Sequence, residues 1–264
     1  MNINGFRKFA LILATAAALL AAVPNASAAR APRQETRVDL RFRVAGIYGN
    51  QMYGTGPFGR QPTTTLTLLK HGMRSEFEVW IPDSRFGLIA QGDLYTLAYN
   101  GRTNSNGEQP LHFGLGSLNL GWRIWGGAHA HASQAVLSAG LALSLYPHLN
   151  TTSSAHYERN WARLAGLRFG LRNRHALFSG VTFEWGGYYI QPQKLMTSGS
   201  LSKTGTRSFG ATVLFDIRVH DGISLGLGYT GGLNRLVFTP DGATEARFID
   251  YNSNSALLSL MFWL

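Results

Sequence analysis

The chain contains no cysteine, so neither disulfides nor thiolate-held metals are available to it. Acidic residues are scarce: 14 stand against 24 basic ones, a formal net charge of +10. Lysine is nearly missing too. Lys8, Lys70, Lys194 and Lys203 are its only examples, so arginine carries the charge. A basic balance can signal nucleic acid, but no basic helix, zinc-ligand spacing or RNA-binding signature accompanies it. Nucleic acid is therefore not an expected partner. Long hydrophobic runs are absent after Val23, which excludes a membrane helix from the rest of the chain.

What is present begins with an export signal over residues 1–28. Arg7 and Lys8 supply its positive region, Phe9 to Val23 its apolar region, and Ala26-Ser27-Ala28 the small residues of a cleavage site. This fifteen-residue stretch falls short of the roughly 20 a spanning helix needs. Residues 29–264 form the expected mature domain.

That domain alternates at period two. From Phe209 to Val219 the apolar row is Phe209, Ala211, Val213, Phe215, Ile217 and Val219. After the turn His220-Asp221-Gly222 the alternation resumes with Ile223, Leu225, Leu227 and Tyr229. Each strand of this hairpin is about 11 residues long, enough to cross a bilayer when tilted. The same pattern predicts strands at Arg37–Tyr48, Thr63–Lys70, Arg74–Ile81, Leu111–Trp125, Ala135–Tyr146, Asn160–Leu171, Leu177–Ile190 and Asn254–Leu264. Arg85–Gln91 and Leu94–Tyr99 read either as a short hairpin about Gly92-Asp93 or as a folded surface loop.

Short turns are expected at His71-Gly72-Met73, Gly126–Ser133, Arg172–Ala176 and His220–Gly222. Longer loops are expected at Gly49–Pro62, Asn100–Pro110, Pro147–Arg159, Gln191–Thr206 and Thr239–Ser253. Alternating loop lengths are a mark of outer-membrane barrels. Hydrocarbon also requires closure, because an open sheet edge would leave backbone groups unpaired. The expected fold is all-β: a single transmembrane antiparallel up-and-down barrel of about 12 strands, with 10 as the alternative. It would sit in the bacterial outer membrane with both termini periplasmic. Its lipid neighbours would include lipopolysaccharide, and its C-terminal strand would be read by the barrel-insertion machinery.

The segments GLGSLNLGWRIWGG (Gly114–Gly127), LSAGLALSLYP (Leu137–Pro147), LKHGMRSEFEVWIP (Leu69–Pro82) and IRVHDGISLGLGYTGGLN (Ile217–Asn234) resemble a known family. It is the family of outer-membrane transporters linked to the meta-cleavage pathway of phenol degradation, together with related barrels of unknown function. Ser117 stands where that pattern has an acidic residue, and Tyr146-Pro147-His148 where it has PTG. The resemblance implies a transporter or channel.

The candidate lumen row carries Arg37, Arg41, Arg43, Arg74, Arg123, Arg168 and Arg218 against Asp39, Glu76, Glu78, Glu184 and Asp216. Two readings stay open. The row lines a slightly anion-favouring pore, or it forms a salt-bridged interior that holds the wall together. The expected function is passive passage of a small solute. A structural or adhesive barrel without transport is the alternative, and a lipid-modifying enzyme a more distant one. His112 and Ser117 are five apart and so fall on opposite strand faces, which argues against a nucleophile–base pair. His129-Ala130-His131 has no Cys or acidic neighbour to complete a metal site. No catalytic residue, cofactor or metal is expected.

Overall fold

The computed structural model describes residues 39–62, 64–99, 111–127, 132–153, 156–196 and 199–263. The expected signal segment, Arg37, Val38, His129-Ala130-His131 and Leu264 lie outside the described residues. The elements are β1 (Asp39–Pro57), β2 (Thr64–Trp80), β3 (Phe86–Tyr99), β4 (Leu111–Gly126), β5 (Gln134–Ser153), β6 (His156–Phe178), β7 (Val181–Leu195), β8 (Ser200–Leu201), β9 (Arg207–His220), β10 (Ile223–Thr239) and β11 (Arg247–Trp263). Apart from the two-residue β8, which pairs with the end of β10, these are ten long strands. Each pairs antiparallel with its neighbours, and β11 pairs with both β10 and β1, so the sheet closes. The barrel has the smaller of the two strand counts.

The count comes from a different division of the chain. His71-Gly72-Met73 is not a turn; β2 runs straight through it opposite Tyr48, Ile47 and Gly46. A side chain at Gly72 would meet the Leu94 carbonyl oxygen at 2.2 Å and the Tyr95 Cα at 2.8 Å, so glycine here marks a close crossing with β3. Gly92-Asp93 is likewise mid-strand in β3, paired with Ser75 and Arg74. Arg172–Ala176 belongs to β6, which turns only at residues 179–180. Residues 49–57, 147–153, 156–159, 191–195 and 247–253, read as loop, continue β1, β5, β6, β7 and β11.

Connections at 81–85, 127–133, 179–180 and 221–222 share one rim with both ends of the barrel sheet; this is the near rim. Gly180 and Gly222 take φ of +77° and +82° in its two tightest turns. The other five connections lie on the far rim.

Strands of 14–23 residues exceed the 9–11 that a tilted crossing requires. The surplus projects at the far rim, and there the wall changes character. In the near half the outer rows are apolar and exposed. They include Phe42, Phe77, Leu120, Leu141, Phe215, Leu227 and Leu258. Farther up the same rows become polar, with Asn50, Thr67, Asn252 and the Arg235–Asp250 pair. The inner rows change in the opposite sense. Charges fill the near half, and Tyr53, Leu68, Leu97, Phe113, Tyr146, Leu164, Leu236, Ile249 and Tyr251 pack together in the far half.

The lipid belt generates a test. Leu141 is 68% exposed on the outer row of β5. Leu141→Arg should destabilise the bilayer-inserted barrel by about 2–4 kcal/mol, the cost of a cation near the midplane. Denaturant unfolding in vesicles measures it.

Candidate functional site: the barrel interior

The inner rows bring charges from strands far apart in sequence across the lumen. Nearest the near rim, Arg41 donates to Asp39 at 3.1 and 3.3 Å and lies 3.8 Å from Glu78. Arg123 lies 3.6 Å from Asp39. The guanidinium carbons of Arg41 and Arg174 stand 4.5 and 5.1 Å from the Trp263 ring centre, and that of Arg123 stands 4.3 Å from the Trp80 ring. The Trp80 indole N–H donates to Glu78 at 2.9 Å.

The middle layer spans the barrel. Arg43 on β1 donates to Glu184 on β7 at 2.7 Å and to Asp216 on β9 at 2.9 Å. Arg174 donates to the second oxygen of Glu184. Arg172 on β6 reaches Glu76 and Glu78 on β2, both at 2.6 Å. Above it, Arg74 holds Asp93 through two bonds of 2.9 Å, and the Tyr95 hydroxyl donates to the same carboxylate at 2.6 Å. Arg168 donates to Gln91 at 2.7 Å and Ser117 at 3.1 Å, with its guanidinium over the Tyr188 ring.

Of the twelve lumen candidates, Asp39, Arg41, Arg43, Arg74, Glu76, Glu78, Arg123, Arg168, Glu184 and Asp216 face the interior together. Arg37 lies outside the described residues. Arg218 is displaced from the interior: it sits at the near rim, exposed, paired with Asp221 of the adjoining turn. It shares the inward phase of Asp216, but the wall ends before it is covered. Arg163 faces outward and is exposed, as its phase predicts.

Sequence reasoning missed Arg172, Arg174, Asp93 and Lys70. Their signal was phase: Arg168, Arg172 and Arg174 are spaced by even numbers, as are Asp93, Gln91 and Tyr95. The aromatic packing was missed with them. Phe113 contacts Tyr95, Tyr146 and Tyr251 with ring centres 5.2–5.8 Å apart, closing the lumen above the charges. The interior retains a cavity of about 90 Å³ between Arg43, Arg168, Arg172 and Glu184. A second space of about 20 Å³ lies beside Lys70, Asp93 and Tyr95. Among the described residues no group of His, Cys, Asp and Glu is arranged to hold a metal ion.

Glu184 serves two arginines at once, so Glu184→Gln leaves both short of a buried partner. Loss of one member of such a network should cost about 3–5 kcal/mol. Arg235→Gln, at a partly exposed pair outside the wall, should cost under about 1 kcal/mol. Unfolding midpoints of the two variants in the same detergent give the comparison.

No protein-family model matches the chain, and no curated protein matches it in sequence. Solved structures do match in shape. The outer membrane protease OmpT from Escherichia coli superposes with a TM-score of 0.51 at 8% identity, covering 86% of this chain and 96% of OmpT. An outer membrane channel from Pseudomonas putida F1 gives a TM-score of 0.40 at 12% identity over 84% and 95% of the two chains. The Pseudomonas putida toluene transporter TodX gives 0.31 at 9% over 85% and 89%. The ten-strand closed antiparallel sheet, with its apolar belt and the likeness to OmpT, is the fold of the outer-membrane β-barrels.

Proposed function

We propose that this chain is a bacterial outer-membrane barrel whose lumen is kept shut, and that it serves as a structural or surface-presenting element rather than as an open diffusion pore. Its termini are periplasmic in this reading, and the projecting far half stands outside the cell. The observation that carries it is the filled interior. A solute-binding pocket usually encloses about 300–1,000 Å³. The space above the middle charge layer is about 90 Å³, and the aromatic packing stands between it and the far rim. Passage of even a small sugar or aromatic would require that packing to come apart.

The reading includes no enzymatic activity. His112 is exposed on the outer face and contacts Thr96, while Ser117 points inward to Arg168. Lipid is the partner best supported by the surface. The belt is apolar, and the outward Arg163 is placed to meet a lipid phosphate near the upper edge of the belt.

Planar-bilayer recording tests the closed lumen. The purified full-length barrel should show no sustained conductance steps, and vesicles containing it should not swell in small sugars. The triple variant Phe113→Ala, Tyr146→Ala, Tyr251→Ala should conduct. Steady open levels in the unmodified protein would replace this reading with a channel.

A further inference from the structure

Charge inside the barrel does not balance. Among the described residues, Arg41, Arg43, Arg74, Arg123, Arg168, Arg172, Arg174 and Lys70 face Asp39, Glu76, Glu78, Asp93, Glu184 and Asp216, eight cations against six carboxylates. The excess has a location. Lys70 lies over the face of Tyr95, with its ammonium 3.8 Å from the ring centre. Arg168 is 8% exposed, and the groups it donates to, Gln91 and Ser117, are neutral. The nearest carboxylate along that network is Asp93, which accepts from Gln91 at 3.2 Å. Asp93 is already held by both Arg74 bonds and by Tyr95, so it offers Arg168 little.

Arg168 lines the cavity of about 90 Å³, and Arg172 lines it four residues further along the same inner row. The Nε of Arg168 and the Nε and Nη2 of Arg172 are buried without a hydrogen-bond partner. The Oγ of Ser259, on the cavity wall, is in the same condition. Gly170, between the two arginines, and Gly186, across from Arg172, line the same space without a side chain to fill it. A buried charge that lacks an opposite partner is costly, and donors that lack acceptors add to that cost.

We propose that this cavity binds a small monovalent anion of the halide class, held by the unpartnered donors of Arg168 and Arg172. The volume selects the class. About 90 Å³ is well below the roughly 300–1,000 Å³ of a site for an organic ligand, and it suits a small inorganic ion with a few waters. Glu76 and Glu184 on the same wall disfavour a multiply charged anion, whose repulsion from them grows with its charge.

The test uses the full chain refolded in detergent with sodium bromide or sodium gluconate at equal ionic strength. Bromide should raise the thermal midpoint of the unmodified protein by about 3–5 °C, the size expected of a tenfold binding effect in a chain of this length. Crystals grown in bromide should show an anomalous peak beside Arg168. Arg168→Gln removes one of the two excess charges, the one at the cavity. Ser117→Asp supplies a resident carboxylate at a position now 3.1 Å from the Arg168 Nη1. Both variants should lose the bromide effect, and the second should be the more stable in gluconate. Equal midpoints in the two salts for the unmodified protein, an equal bromide effect in all three proteins, or a bromide map empty at the cavity would overturn the proposal. Should neither variant fold, the map of the unmodified protein decides. Bilayer conductance is read separately, so a conducting barrel with an occupied cavity would refute the closed lumen and leave the anion site standing.

Discussion

The medium outside the wall dictates what the wall encloses. A strand shows alternate residues to its two sides, so each level of the barrel must suit one row to its surroundings and leave the other for the interior. Where hydrocarbon lies outside, Leu141, Leu227 and Leu258 face it, and the polar groups of that level turn inward. They can stay there only if paired, and the links from Arg43 to Glu184 and Asp216 and from Arg172 to Glu76 and Glu78 meet that demand. Beyond the belt the outside is polar, and the arrangement reverses. Tyr53, Leu68, Tyr146 and Ile249 go in, as they would in a soluble barrel.

The protein is thus two cores in series within one sheet. The lower core is held by ion pairs and rings facing guanidinium groups. The upper core is held by apolar burial worth about 1.5–3 kcal/mol for a fully buried large side chain. They meet near Tyr95, whose ring packs against Phe113 while its hydroxyl binds Asp93. The same residue closes the apolar cluster and completes the charge network. Lys70, over that ring, marks the same level from the adjacent strand.

Much of the lower core was legible from residues alone. Period-two alternation with arginine or glutamate on one row and leucine or phenylalanine on the other put twelve charged candidates on the inner row, and ten of them face the barrel interior. The upper core was not legible for a physical reason. Its rows alternate in the opposite sense, and glycine and asparagine occupy strand positions such as Gly49, Gly54 and Asn252, so the segment reads as loop. Gly49 lies within strand β1 because β11 comes so close that an added Cβ would meet the Asn254 carbonyl oxygen at 2.1 Å. Arg172 and Arg174 look like a basic turn until cross-barrel partners are known. Nothing in the chain near them announces Glu76, Glu78 and Glu184, which lie on β2 and β7.

The reversal also bears on biogenesis. In the orientation proposed above, a chain entering the bilayer from the side of its termini must carry the upper wall across hydrocarbon, because that wall is wet on its outer surface in the finished protein. It cannot cross already folded. The cluster around Phe113, Tyr146 and Tyr251 can gain its burial only once the hairpins have emerged on the opposite side. Its consolidation is then a late step, and one that acts as a ratchet: after it forms, the hairpin tips have no favourable route back.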